Sequence, residues 1–164
     1  MSMQPRMIGP NDGPSVVLNE TKFVYKLESA DTDGRLAFIE VTVPPRTLVK
    51  PHQHANEDEV SLILSGTVGA RVGDETLESL AAGSYLLKPR DVPHALWNVG
   101  DEPARLVEVL SPAGLESYFR EVGPILREHG PRWTIRYRKL AESYGLTILD
   151  DWSDELKARY DISL

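Results

Sequence analysis

The chain has 164 residues, with 18 Lys+Arg against 25 Asp+Glu, a formal net charge of −7. That balance argues against a general nucleic-acid binder, which needs a basic face against phosphate, and against docking on anionic lipid. There is no cysteine, which removes disulfide scaffolds, thiolate zinc sites, iron–sulfur clusters and Cys nucleophiles together.

Residues 1–14 hold Pro5, Gly9, Pro10, Gly13 and Pro14 and no apolar run. They read as a flexible arm and not as a secretory signal, and no segment approaches the ~20 apolar residues of a membrane span. The expected location is the cytoplasm, with no membrane and no nucleic-acid partner. Residues 15–112 then carry short β-like runs in series: Val16–Leu18, Phe23–Leu27, Leu36–Val43, Val60–Leu64, Thr67–Val72, Tyr85–Leu87, Ala95–Val99 and Arg105–Leu110. Turn signals separate them, among them Asp33-Gly34, Pro44-Pro45, Ser65-Gly66, Gly73-Asp74 and Ala82-Gly83. Short strands at near-regular spacing, with no helical pattern between them, predict an all-β sandwich or barrel and not a parallel α/β sheet. Two faces alternate within Leu36–Val43: Ala37, Ile39, Val41 and Val43 against Leu36, Phe38, Glu40 and Thr42. Periodicity does not choose between them.

The period changes after Ser111-Pro112. Leu115, Tyr118, Phe119, Val122, Ile125 and Leu126 fall on one helical face, which Gly123-Pro124 is expected to kink. Pro131 is placed to open a second helix running to about Tyr144, with Gly145 as its left-handed cap. Leu146–Leu149 reads as a short extended run and Asp151–Tyr160 as a further helix. Residues 113–164 are too few for an independent domain. They are expected to pack outside the β core or on a partner subunit. Arg132, Arg136, Arg138 and Lys139 form a basic cluster, but they spread around a helix near Glu128 and Glu142 and read as a solvated face.

Three of the four histidines lie in the β region. His52-Gln53-His54 puts two imidazoles at i and i+2, which in a strand share one face. Glu59 follows, and His94 sits in the later stretch Pro89–Asn98. Three imidazoles and a carboxylate, without thiolate, suit a divalent transition ion (Fe, Mn, Ni, Co, Cu or Zn) better than Mg or Ca. Taken singly, each residue has a plain alternative: a lone His is commonly a surface or core residue, and Glu57-Asp58-Glu59 is an acidic turn. Their joint spacing is what distinguishes them.

That spacing resembles the two motifs of the cupin superfamily. The first is matched by His52 and His54, then four residues to Glu59 and six to Gly66. The second is matched by Gly83, five residues, Pro89-Arg90-Asp91, two residues, His94, three residues and Asn98, with 16 residues between Gly66 and Gly83. The likeness spans about residues 35–110. It departs at two turn positions, where Arg46 and Asp91 stand in place of the family's glycines. The resemblance implies a jelly-roll β-barrel with a helical C-terminal extension, and an ion held near one mouth by His52, His54, Glu59 and His94. Alternation from Glu59 turns Ser61 and Ile63 inward, and from His94 turns Leu96 and Asn98 inward. These four are the expected lining of a mostly apolar pocket.

The segment Ser111–Gly123 further resembles bacterial single-domain cupins related to quercetin 2,3-dioxygenase. That implies a dioxygenase acting on a small aromatic or polyketide-like molecule, with Glu59 as both ligand and catalytic base. Cupins also include isomerases, cyclases and lyases that need no O2, and non-enzymatic small-molecule binders, so those readings stay open. A homodimer is expected, because jelly rolls leave sheet edges and cupins commonly pair.

Overall fold

A computed structural model of the chain describes residues 5–128 and 133–164. Its strands pair antiparallel in two sheets. The first runs in the order β1 (Ser15–Leu18), β2 (Thr21–Leu27), β3 (Ala37–Val43), β10 (Ala104–Ser111), β5 (Asp58–Ser65) and β8 (Tyr85–Lys88). The second runs β11 (Leu146–Ile148), β4 (Thr47–His54), β9 (His94–Asn98), β6 (Thr67–Val72) and β7 (Glu75–Ala81). A single turn, α1 (Ser29–Thr32), joins β2 to β3, and α2 (Glu116–Leu126), α3 (Trp133–Ser143) and α4 (Asp150–Tyr160) follow the last long strand.

The ambiguity along Leu36–Val43 is resolved by burial. Ala37, Ile39, Val41 and Val43 are all 4% exposed or less and enter the main core with Ile63, Leu96, Leu106 and Leu110. Two strands lie outside the runs expected from the sequence. β4 contains Pro51 and the polar stretch around His52, which hides its strand character. Its pairing with β9 shifts register between Val49 and His52, and a proline without an N–H is tolerated at such an irregularity. β7 is a polar edge strand, whose Glu75 and Glu78 discourage pairing with another chain.

The C-terminal tail does more than pack outside the β core. β11 adds a strand beside β4, with Leu146 opposite His54 and Ile148 opposite His52. α4 covers the outer face of the second sheet. There Trp97, 0% exposed, stacks on Tyr160 at 4.7 Å and joins Leu48, Ala95, Leu156 and Ile162 in a separate small core. A Cβ on Gly69 would come within 2.3 Å of the Trp97 ring, so only glycine fits under it. Asp150 and Asp151 in the first turn of α4, with Lys157 and Arg159 in the last, complement its dipole. Pro124 sits in the last turn of α2, which continues to Leu126, so its missing N–H removes one bond near the helix end and not in the middle. Gly145 ends the α3 segment with φ 73°, while Pro131 lies outside the described residues.

Residues 5–14 form no helix or strand. Lys26 Nζ donates to the carbonyls of Gly9, Pro10 and Asp12 at 3.1, 2.9 and 2.7 Å. In the basic cluster, Arg136 pairs with Glu128 and Arg138 with Asp150; Arg132 lies outside the described residues. No helix among the described residues is long and apolar enough to cross a membrane.

Candidate metal centre

The site lies where the two sheets face each other. β4 and β9 present His52 directly opposite His94, with His54 two residues further along β4. β5, in the other sheet, points Glu59 at them. One nitrogen from each His and one oxygen of Glu59 all lie within 4.8 Å of one another. Two ligands on opposite sides of one ion with ~2.1 Å bonds stand ~4.2 Å apart, so the cluster has the span of a single coordination sphere, slightly opened.

The hydrogen bonds fix which nitrogen is offered. His52 Nδ1 bonds the Lys50 carbonyl at 2.6 Å, and His94 Nδ1 bonds the Val92 carbonyl at 3.1 Å. Each ring therefore donates outward through Nδ1 and turns Nε2 to the centre, the arrangement that orients metal-binding imidazoles. Glu59 Oε2 lies 3.5 Å from His54 Nε2 and 3.4 Å from His94 Nε2. These three atoms are buried and none has a hydrogen-bond partner. Leaving a buried polar atom unsatisfied costs about 1–3 kcal/mol, and one cation at their meeting point satisfies all three. Burial first, then the neighbouring His94 and His54, hold His52 well below the usual imidazole value; burial likewise lowers His94. Both are thus neutral and able to ligate. The residues present fit a divalent transition ion, and the N3O donor set does not by itself select which.

The two motif loops lock this geometry. Arg46 and Asp91, standing where glycine was expected, adopt φ 55° and 61°, in the left-handed region. The turns have kept their shape at the cost of some strain. The Asp91 N–H donates to the His54 carbonyl at 2.7 Å, so the second-motif loop clamps the end of the His52–His54 strand.

Two residues beside the cluster were missed by sequence reasoning. Lys88, 3% exposed, lies 3.1 Å from Glu59 Oε2 and 3.0 Å from Glu108 Oε2. Ser61 Oγ donates to the same Glu108 oxygen at 2.8 Å. Burial, reinforced by the Glu59 charge, pushes the Glu108 carboxyl up to about 8. Burial alone would lower Lys88, but Glu108 and Glu59 outweigh it and hold it charged. Burial would also raise Glu59, yet Lys88, His94 and His54 keep it well below the ordinary carboxylate range. Glu59 is therefore a good ligand and a poor base, whereas Glu108 is poised near neutrality. The signal for both residues was strand phase: Glu108 alternates with the inward Leu106 and Leu110, and Lys88 with the inward Leu86.

Of the four expected lining residues, Leu96 lines the cavity at the cluster. Ser61 and Ile63 point inward, but Ser61 is engaged by Glu108 and Ile63 is packed in the main core. Asn98 lies at the far end of β9 and closes a turn: its amide donates to the Val43 and Glu102 carbonyls, and its oxygen accepts from the Gly100 N–H.

Residues 39–110 match the family described as Cupin domain. The chain is 33% identical over 94 residues to a Bacillus subtilis protein named H2HPP isomerase, an alignment covering 57% of this chain and 38% of that protein. It therefore spans well under half the length of that relative. Among solved structures, a predicted oxalate decarboxylase from Thermotoga maritima superimposes with a TM-score of 0.61 at 16% identity, over 65% of this chain and 99% of that one. The polyketide cyclase RemF from Streptomyces resistomycificus gives a TM-score of 0.58 at 23% identity, over 66% and 80%. The fold is the cupin jelly roll with C-terminal helices. The domain match thus covers residues 39–110, and the structural neighbours share the fold.

Proposed function

We propose that this protein is a metal-dependent enzyme that moves a proton on a small, largely apolar organic molecule, as an isomerase or cyclase does. The observation that carries the reading is the buried Lys88–Glu108 pair beside the His/Glu cluster, lining the same cavity of about 50 Å³. Buried ion pairs are costly compared with apolar packing, so their place at a reaction site supports a chemical role. A divalent ion held by His52, His54, Glu59 and His94 would polarise a carbonyl or enol oxygen. The chain's own residues then do the rest. Glu108 accepts a proton from the carbon next to that carbonyl and returns it to another carbon, so no oxidant is consumed. Its raised pKa suits both halves of the transfer. Lys88 donates to Glu108 and forms an ion pair with Glu59, holding the two carboxylates beside one another. The apolar walls exclude competing water. The name of the Bacillus relative supports the same class.

The test is deuterium wash-in. Metal-loaded protein is incubated in D2O with a panel of 2-keto acids and 1,3-diketones, and exchange is followed by NMR. Exchange that vanishes in Glu108→Gln while metal stays bound supports the reading. O2 uptake without exchange would overturn it in favour of the dioxygenase expected from the sequence. That second reading is supported by the three-His, one-carboxylate donor set next to apolar walls. Binding of these compounds with neither exchange nor O2 uptake returns the non-enzymatic binder.

We also propose a cytoplasmic homodimer. Tyr85 and Leu87 on the edge strand β8 are 72% and 59% exposed, beside Leu64 on β5, and such an apolar strip supports a contact with a second copy. A monomer by light scattering at micromolar concentration overturns the pairing.

A further inference from the structure

The cavity at the cluster is too small for the molecule it is proposed to act on. At about 50 Å³ it holds a carboxylate or a keto group, whereas an engineered cavity of about 150 Å³ is what accepts benzene. A second, larger cavity of about 190 Å³ adjoins it. The two share Phe23, Val49, His52 and Phe119 as walls, with Phe23 and Phe119 stacked at 4.8 Å. His52 is thus a candidate metal ligand that borders both spaces.

The larger cavity is built mainly from parts of the chain outside the Cupin domain match. Leu18 comes from β1, Tyr118, Val122 and Leu126 from α2, Trp133 and Tyr137 from α3. Its walls are overwhelmingly apolar and aromatic. The hydroxyls of its two tyrosines, Tyr118 and Tyr137, lie near enough to perturb each other, and burial raises the pKa of both. Of its few polar walls, Lys50 is already paired with Asp150 at 2.7 Å, so the chamber chiefly rewards an apolar ring.

We infer that the ligand is a two-part molecule. A small oxygen-bearing head enters the barrel at the His/Glu cluster, and an aromatic-sized apolar body occupies the chamber between β1–β2, β4 and helices α2 and α3. The Phe23–Phe119 pair is the threshold between the parts, and α2 and α3 set the size of the body. This inference rests on the proposed metal-dependent function for its head group and on the chamber's own walls for its body.

The experiment uses full-length protein and two kinds of probe. Hydroxamates carry a metal-binding head, so acetohydroxamate and benzohydroxamate are titrated calorimetrically into cobalt-loaded protein. Toluene, which has no such head, is tested on metal-free protein by its shift of the melting temperature. Benzohydroxamate is expected to bind at least about tenfold tighter than acetohydroxamate, the gain from burying one ring. Leu126→Trp, which fills the chamber at a half-buried position, should abolish that ratio and the toluene shift while acetohydroxamate affinity stays as in the parent. Trp133→Ala, at an exposed position where folding is safe, should reduce the ratio in the same direction. Equal affinities for the two hydroxamates, or a ratio unchanged in both variants, overturns the chamber. A toluene shift abolished by Leu126→Trp, together with no hydroxamate binding to metal-loaded protein, keeps the chamber and overturns the metal-dependent function instead. No toluene shift and no hydroxamate binding overturns both.

Discussion

The strands of residues 39–110 and the segments that flank them hold different kinds of information. The first supply every residue of the His/Glu cluster and the Lys88–Glu108 pair. The second supply β1–β2, the helices, and the strand β11 that braces β4 behind the histidines. Chemistry sits on paired strands, where register fixes atoms to within fractions of an ångström. The shape of the larger cavity sits on helices, whose side chains can change without moving the cluster. A jelly roll that keeps its motif residues can thus take new ligands by changing its flanks.

That division can be broken from the core side first. His94→Ala should lower affinity for a divalent ion by more than about 100-fold, beyond the 10–100-fold typical of second-sphere changes, measured by competition with a chromophoric chelator. His129, outside both motifs, is the control, and its change to Ala should leave metal content alone. Next in size, Glu108→Gln should cut proton exchange by ~10²–10⁴ per bound metal while metal content is unchanged. Glu59→Gln should instead lose metal, with activity per bound metal largely kept. If Glu59→Gln keeps its metal and loses turnover, Glu59 is the base and Glu108 is not.

From the flanking side, Leu156→Ala removes a fully buried side chain between α4 and the second sheet. It should cost about 2–5 kcal/mol in urea unfolding and leave metal affinity of the folded protein within twofold. A large loss of metal affinity would show that α4 also shapes the cluster.

The pH dependence sharpens the same contrast. The Glu108 value rises from the ordinary ~4.3 to about 8 in the folded protein. Between those values the folded state keeps a proton that the unfolded chain has released. Its contribution to stability therefore falls as pH rises from about 4.5 to 8. The lowered His52 and His94 act oppositely, since stability they cost at low pH returns as pH rises toward about 6.5. Comparing metal-free parent with Glu108→Gln at pH 5 and 8 separates the two. The parent should lose stability relative to the variant on going to pH 8, and an identical pH profile would refute the raised value. The smallest effect is expected at the turns. Asp91→Gly relieves the left-handed strain of about 1–2 kcal/mol but adds unfolded-state freedom of about 0.5–1 kcal/mol, so it should be neutral or slightly stabilising by thermal unfolding.

The amino-acid sequence by itself determined the β class, the change to helix after Ser111, and the grouping of His52, His54, Glu59 and His94. These features rest on local rules: period-two burial, turn residues, and ligand spacing along two strands. It also allowed for Arg46 and Asp91 as turn residues, because a turn's φ is a local demand. Only the tertiary structure decided which face of β3 is buried, that β4 is a strand despite Pro51, and that the tail returns as β11. Only it brought Lys88 and Glu108 to Glu59, because β8 and β10 both pair with β5 while lying far from it along the chain. Alternation marks a residue as inward, but which inward charges meet depends on strand order and register, and those are settled by packing across the whole sheet.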